Sequence, residues 1–234
     1  MIAMPVLRKA FAELLGSALL AATVVGSGIA AERLSPSDLG LQLLENSVVT
    51  GAALVALILA LGPVSAAFNP VVTLAERAFG VVTTRAAAAY VGAQVLGCAF
   101  GVMLANLMFG LSPVVVSRHH RGGGGLLLGE VVATFGLLLV VFGVVRAGRG
   151  RHVAFAVGSY ITAAYWFTSS TSFANPAITV GRMLSDTFAG IAPASVPAFV
   201  LMQLVGGALA VAAVLALYPD ARQVADDVAH LDGP

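Results

Sequence analysis

The sequence predicts an all-α membrane fold: six transmembrane helices plus two re-entrant half-helices, arranged as an inverted repeat. Three observations carry that prediction. Hydrophobic residues make up 59% of the 234 positions and charged residues 10%, against about 25% charged in a soluble chain. Two Asn-Pro helix starts, Asn69-Pro70 and Asn175-Pro176, lie inside otherwise apolar sequence. Two further polar markers recur in the same order around them, Glu13 and Gln94 in the first half, Glu130 and Gln203 in the second.

Apolar runs long enough to span a bilayer occupy roughly 7–31, 41–62, 84–109, 126–145, 152–169 and 195–218. Ser35-Pro36-Ser37-Asp38, Ser112-Pro113, the run Gly122 to Gly125, the basic stretch Arg146 to Arg151, and Pro193 with Pro197 mark the joins. Arg8 and Lys9 precede the first run, but Glu13 interrupts it and apolar character continues to Ala31. It therefore reads as an uncleaved first membrane helix. The whole chain, 1–234, reads as one transmembrane domain: repeat one at about 7–109, repeat two at about 126–218, and a polar, solvated tail at 219–234.

At each Asn-Pro pair the Asn side chain can accept an orphan backbone N–H, and Pro at the next position forgoes only an N–H that has no partner there. The second such helix runs through Ile178, Val180 and Met183 and stops before Gly190 and Pro193. Its length of about 10–14 residues reaches only half-way across a hydrocarbon core of ~30 Å. Each repeat holds an odd number of spans, so the second sits upside down relative to the first, and the half-helices meet at the midplane.

Two helix N-termini pointed at one place put two positive dipole ends there. A passage between them offers donors to a neutral, hydrogen-bonding solute and is hostile to cations and protons. The approach segments, Ser65 to Ala67 and Thr171 to Ala174, are non-helical. Their carbonyls are tolerable at membrane depth only where they line water or are buried in protein. They form an acceptor ladder along such a passage.

On the paired boxes Asn69-Pro70-Val71 and Asn175-Pro176-Ala177, the paired Glu13 and Glu130, and Gln94 and Gln203, the chain resembles the aquaporin or major intrinsic protein family over essentially all of 7–218. The resemblance implies one pore per protomer, a homotetramer in the lipid bilayer, and passive flux of water or small neutral solutes. It implies no cofactor, no metal and no enzymatic activity. It also implies that Glu13 and Glu130 anchor the re-entrant loops by hydrogen bonds, which suits intramembrane carboxylates in need of partners.

The chain departs from the family pattern at several places. Val71 stands where Ala is usual, at a position that faces packing rather than pore. The approach to Asn69 is one residue short and lacks the His that often precedes Phe. The family's four filter positions fall by motif on Thr50, Ala163, Ser172 and Ile178, with Ile178 where Arg is usual. All four are small or uncharged, so the filter is expected to be wide and partly apolar. This pattern, with the run Tyr165 to Val180, is similar to a bacterial subgroup linked to arsenic resistance. It implies trivalent metalloid acids or methylated organoarsenicals as solutes, beside glycerol-like polyols. Arg182 lies four residues after Ile178 and can reach back to place its guanidinium at the outer lip of the constriction. The alternatives are that it snorkels to headgroups or pairs with Asp186.

Eight Lys/Arg fall on the side that holds both termini, against four on the other. That bias places the termini in the cytoplasm, and the resemblance to the bacterial subgroup implies a bacterial-type plasma (inner) membrane. The formal net charge of +1 argues against nucleic acid as a partner. The lone Cys98, in an apolar run, reads as a small buried hydrophobe. His119-His120 sit in a Gly-rich loop with no acidic or thiol neighbour in sequence, and read as solvated rather than metal-binding. The competing class is an ion- or proton-coupled secondary transporter, which also uses broken helices. It needs ionisable groups at mid-membrane, and away from the span ends the sequence offers Glu13 and Glu130, to which the resemblance gives structural duties.

Overall fold

The computed structural model describes residues 5–218; the predicted tail at 219–234 lies outside the described residues. Eight α-helices follow one another: α1 Val6–Leu34, α2 Leu39–Leu61, α3 Pro70–Ala78, α4 Thr84–Met108, α5 Gly124–Arg146, α6 Val153–Phe167, α7 Pro176–Gly181 and α8 Val196–Leu217. Among the described residues, five helices are long and apolar enough to cross a membrane: α1, α2, α4, α5 and Pro193–Leu217, which adds a 3₁₀ turn to α8. The sixth expected span, 152–169, is the shorter α6, with 15 residues. The 3₁₀ turn Gly150–His152 leads into it, and together they extend roughly 28 Å.

Close glycine contacts bind the long helices in pairs. Gly97 and Gly101 of α4 press on the backbone of α1 at Leu14 and Ala18, while Gly206 of α8 presses on α5 at Val131. Gly51 of α2 and Gly158 of α6 face each other's carbonyls. A side chain at any of these sites would separate backbones whose approach holds helices together where no aqueous driving force acts. The α1–α4 and α5–α8 pairs occupy matching places in the two repeats, and the α2–α6 pair joins one repeat to the other.

The half-helices α3 and α7 lie within this frame, each entered through a non-helical segment. α3 has nine residues and α7 six. The second is shorter than the sequence suggests, because its backbone tightens into a 3₁₀ turn at Arg182–Leu184. The extended segment after α4 then pairs with this end of the chain: Val115 N donates to Leu184 O at 3.0 Å, Ser117 N to Met183 O at 2.8 Å, and Ala192 N to His119 O at 2.8 Å.

Candidate functional site

Asn69 and Asn175 cap their half-helices from extended backbone. The Oδ1 of Asn69 accepts from Val71 N, and that of Asn175 from Ala177 N and Ile178 N. Their amides reach across: Asn69 Nδ2 donates to Ala174 O and Asn175 Nδ2 to Phe68 O, both at 2.7 Å. The two half-helix starts are thus cross-linked. Each amide retains one further N–H, and both Asn side chains line the same cavity. Pro70, Val71, Pro176 and Ala177 are buried. Val71 packs against Gly207 of α8, where a Cβ would collide with it, so the bulk beyond the usual Ala is taken up by a neighbouring helix.

The loop backbones depend on two carboxylates. Glu13 accepts from Ala67 N at 2.9 Å, Phe68 N at 2.7 Å, Ser65 Oγ and Gln94 Nε2 at 2.8 Å. Glu130 accepts from Phe173 N and Ala174 N, each at 3.0 Å, and from Gln203 Nε2 at 2.6 Å. Both carboxylates have no solvent exposure. These bonds restrain residues in the left-handed region: Phe68 at φ 48° in the first loop, and Thr171, Ser172 and Ala174 at 61°, 50° and 47° in the second. Such a conformation costs a non-Gly residue roughly 1–2 kcal/mol.

A cavity of about 490 Å³ runs through the bundle. At one end Lys9, Glu76, Tyr90 and Arg151 line it. Asn69 and Asn175 line its middle, and Thr50, Tyr165, Ser172, Ile178 and Arg182 its other end. Among the described residues, none from the 112–123 or 186–195 segments lines it. At the Arg182 end Thr50 Oγ1 lies 3.3 Å from Tyr165 OH, and the buried Ser172 Oγ has no hydrogen-bond partner.

Thr50, Ser172 and Ile178 stand at this cavity, but Ala163 does not. It is exposed, in a groove between α2 and α6 beside Ala52, Ser159 and Trp166. The reason is helical phase. On α6 the cavity face is Ala154, Val157, Ile161 and Tyr165, and Ala163 sits about 200° around from Ile161. From α6 it is Tyr165, not Ala163, that lines the cavity beside Thr50. The spacing of three and four residues from 154 to 165 is that of one helix face. Glu76, on the last turns of α3, is a second lining residue that a scan confined to full spans passes over.

Arg182 is buried and lines the cavity. Its Nε donates to Ala189 O, and its guanidinium carbon lies 3.5 Å from the Phe173 ring centroid. It does not pair with Asp186. That carboxylate accepts from Arg118 N at 2.8 Å and Nε at 2.9 Å, and these bonds hold it below its ordinary pKa. His119 and His120 are exposed.

A family model described as major intrinsic protein matches residues 1–168. The aquaglyceroporin AqpS of Rhizobium meliloti (strain 1021) is 47% identical over 218 residues, 93% of each chain. Aquaporin NIP1-1 of Zea mays is 32% identical over 197 residues, 78% of this chain and 66% of its own. Among solved structures, the aquaglyceroporin of Plasmodium falciparum superposes with a TM-score of 0.73 at 19% identity, covering 94% of this chain and 100% of that one. That likeness concerns the fold, and it agrees with the helical plan above. The family's members are channels rather than enzymes, and the family match together with the near full-length relative shows that this multi-pass membrane chain belongs to the major intrinsic protein family.

Proposed function

We propose that the protein is a passive channel of the aquaglyceroporin type, conducting small neutral solutes: water, glycerol-like polyols, and metalloid acids or methylated organoarsenicals. The observation that carries this reading is the cavity lined by both Asn side chains and, beyond them, by Thr50, Tyr165, Ser172, Ile178 and Arg182. Amide N–H groups and the approach carbonyls supply donors and acceptors along it, and two helix N-termini oppose cations there. Ile178 leaves an apolar wall where the family usually has Arg, and Arg182 supplies a cation one turn further along. We assign the selectivity filter to those five residues and the outer-mouth charge to Arg182. The AqpS relative, called an aquaglyceroporin, supports solutes larger than water.

We further propose a homotetramer in a bacterial inner membrane, with both termini and the Lys9 end of the cavity cytoplasmic. A coupled transporter is disfavoured, because Glu13 and Glu130 are both engaged by loop backbone and Gln side chains. Stopped-flow light scattering of proteoliposomes with water, glycerol, urea, arsenite and methylated arsenite, with and without an ion gradient, tests the reading. Gradient-independent flux of glycerol and at least one metalloid species is expected. Water flux alone would overturn the solute assignment, and gradient-dependent uptake would overturn the channel.

A further inference from the structure

Arg182 is held from behind by a residue remote from it in sequence. Arg121 lies on the segment between α4 and α5 and, among the described residues, is not part of the cavity lining. Its Nε donates to Gly190 O at 2.9 Å and its Nη2 to Phe188 O at 3.0 Å. The guanidinium thus bridges two carbonyls on either side of Ala189, whose own carbonyl accepts from Arg182. Both arginines also share one ring: the guanidinium carbons lie 5.1 Å and 3.5 Å from the Phe173 centroid. Among the described residues the single ion pair is Arg118 with Asp186, so neither Arg121 nor Arg182 makes a contact ion pair with a carboxylate.

Two cations on one ring repel, so other contacts must offset that repulsion. The guanidinium fork has its donors in a rigid plane and can span two acceptors at once, which an ammonium cannot do with the same geometry. By taking the carbonyls of 188 and 190, Arg121 sets the orientation of the peptide between them. By lying over Phe173 it also bounds the ring on which Arg182 rests.

We infer that Arg121 is a positioning residue for the Arg182 end of the pore: it fixes the Ala189 carbonyl and the Phe173 ring that hold Arg182, so solute selection depends on a side chain outside the cavity. This rests on the reading of Arg182 as the mouth charge. Arg121 acts through Arg182, and its replacement therefore has no effect on selectivity once Arg182 is gone.

The test is a double-mutant cycle in proteoliposomes, reading the glycerol-to-water permeability ratio and sodium leak for wild type, Arg182→Gln, Arg121→Gln and the double variant. Arg182→Gln and Arg121→Gln should shift the ratio in the same direction, by roughly fivefold for a coupled pair, and the double variant should match Arg182→Gln. Arg121→Lys keeps the charge but loses the fork, so it should resemble Arg121→Gln; it also carries the comparison if Arg121→Gln fails to reach the bilayer. If Arg182→Gln keeps the wild-type ratio and leak, the mouth-charge reading fails and this inference with it. If Arg182→Gln shifts them while Arg121→Gln or Arg121→Lys does not, the inference alone is overturned. An Arg121→Gln effect that persists undiminished in the Arg182→Gln background overturns it as well.

Discussion

In the first re-entrant segment one residue, Phe68, stands at positive φ; in the second, three do, Thr171, Ser172 and Ala174. The carboxylates beneath them are loaded the other way. Glu13 accepts from four donors and Glu130 from three. The first half-helix runs nine residues in regular α geometry, whereas the second gives way after six to a 3₁₀ turn that begins at Arg182. The second segment also has outside support: Arg182 and Arg121 lie over Phe173, and the 115–119 backbone pairs with residues 183–192. The repeat supplies the same cap and the same buried acid to both halves. The more contorted half needs more of the surrounding protein, and that half carries Ser172, Ile178 and Arg182, which line the cavity beyond the Asn pair.

Removing the carboxylates tests that contrast most severely. Glu130→Ala leaves Phe173 N and Ala174 N buried without an acceptor, at about 1–3 kcal/mol each, beneath three left-handed residues. It should lower the thermal midpoint in detergent more than Glu13→Ala does, or abolish recovery of folded protein. A larger loss for Glu13→Ala would show that bond number, not backbone strain, governs the two loops.

Next in size is the change at the Tyr165 end of the cavity. Tyr165→Ala should raise glycerol permeability several-fold in proteoliposomes, while Ala163→Phe should leave it at the wild-type value. The opposite pattern would return Ala163 to the filter and reverse the phase assigned to α6.

A close fit that the first half makes with the second is Val71 on Gly207. Gly207→Ala should cost about 1–3 kcal/mol through overpacking, and Val71→Ala in the same protein should recover most of it. Thermal melts of the three variants decide this; no recovery would mean that the clash involves another neighbour.

The smallest stability effect should come from Ser172. Its Oγ has no partner, so Ser172→Ala should change stability by less than about 0.5 kcal/mol while altering solute permeability. Ser65, whose Oγ donates to Glu13, is the counterpart, and Ser65→Ala should cost about 1 kcal/mol. Equal melts for the two variants would erase this difference between the loops.

Much of this molecule is legible in its residues because the information is local or repeated. Asn followed by Pro specifies a cap and a helix start wherever it occurs, and both half-helices begin where that rule places them. A carboxylate within an apolar span needs partners, which points to Glu13 and Glu130 before any contact is known. Ala163 shows where such reading stops. Motif alignment places it across a helix whose start the sequence leaves loose, and a shift of two residues on a helix moves a side chain to the opposite face. The cavity stripe from Ala154 to Tyr165 emerges only when the helices are packed, because α6 is apolar on more than one face.

By itself, then, the sequence determined the membrane class, the repeat, the two caps and the buried acids, because hydropathy, helix capping and the cost of an unpaired buried charge act within a few residues. Only the tertiary structure decided that Tyr165 meets Thr50, that Gly207 makes room for Val71, and that Arg182 turns to Ala189 and Phe173 while Asp186 goes to Arg118. Each of those choices is a competition between partners far apart in the chain, and it is settled by which surfaces the packed helices bring within reach.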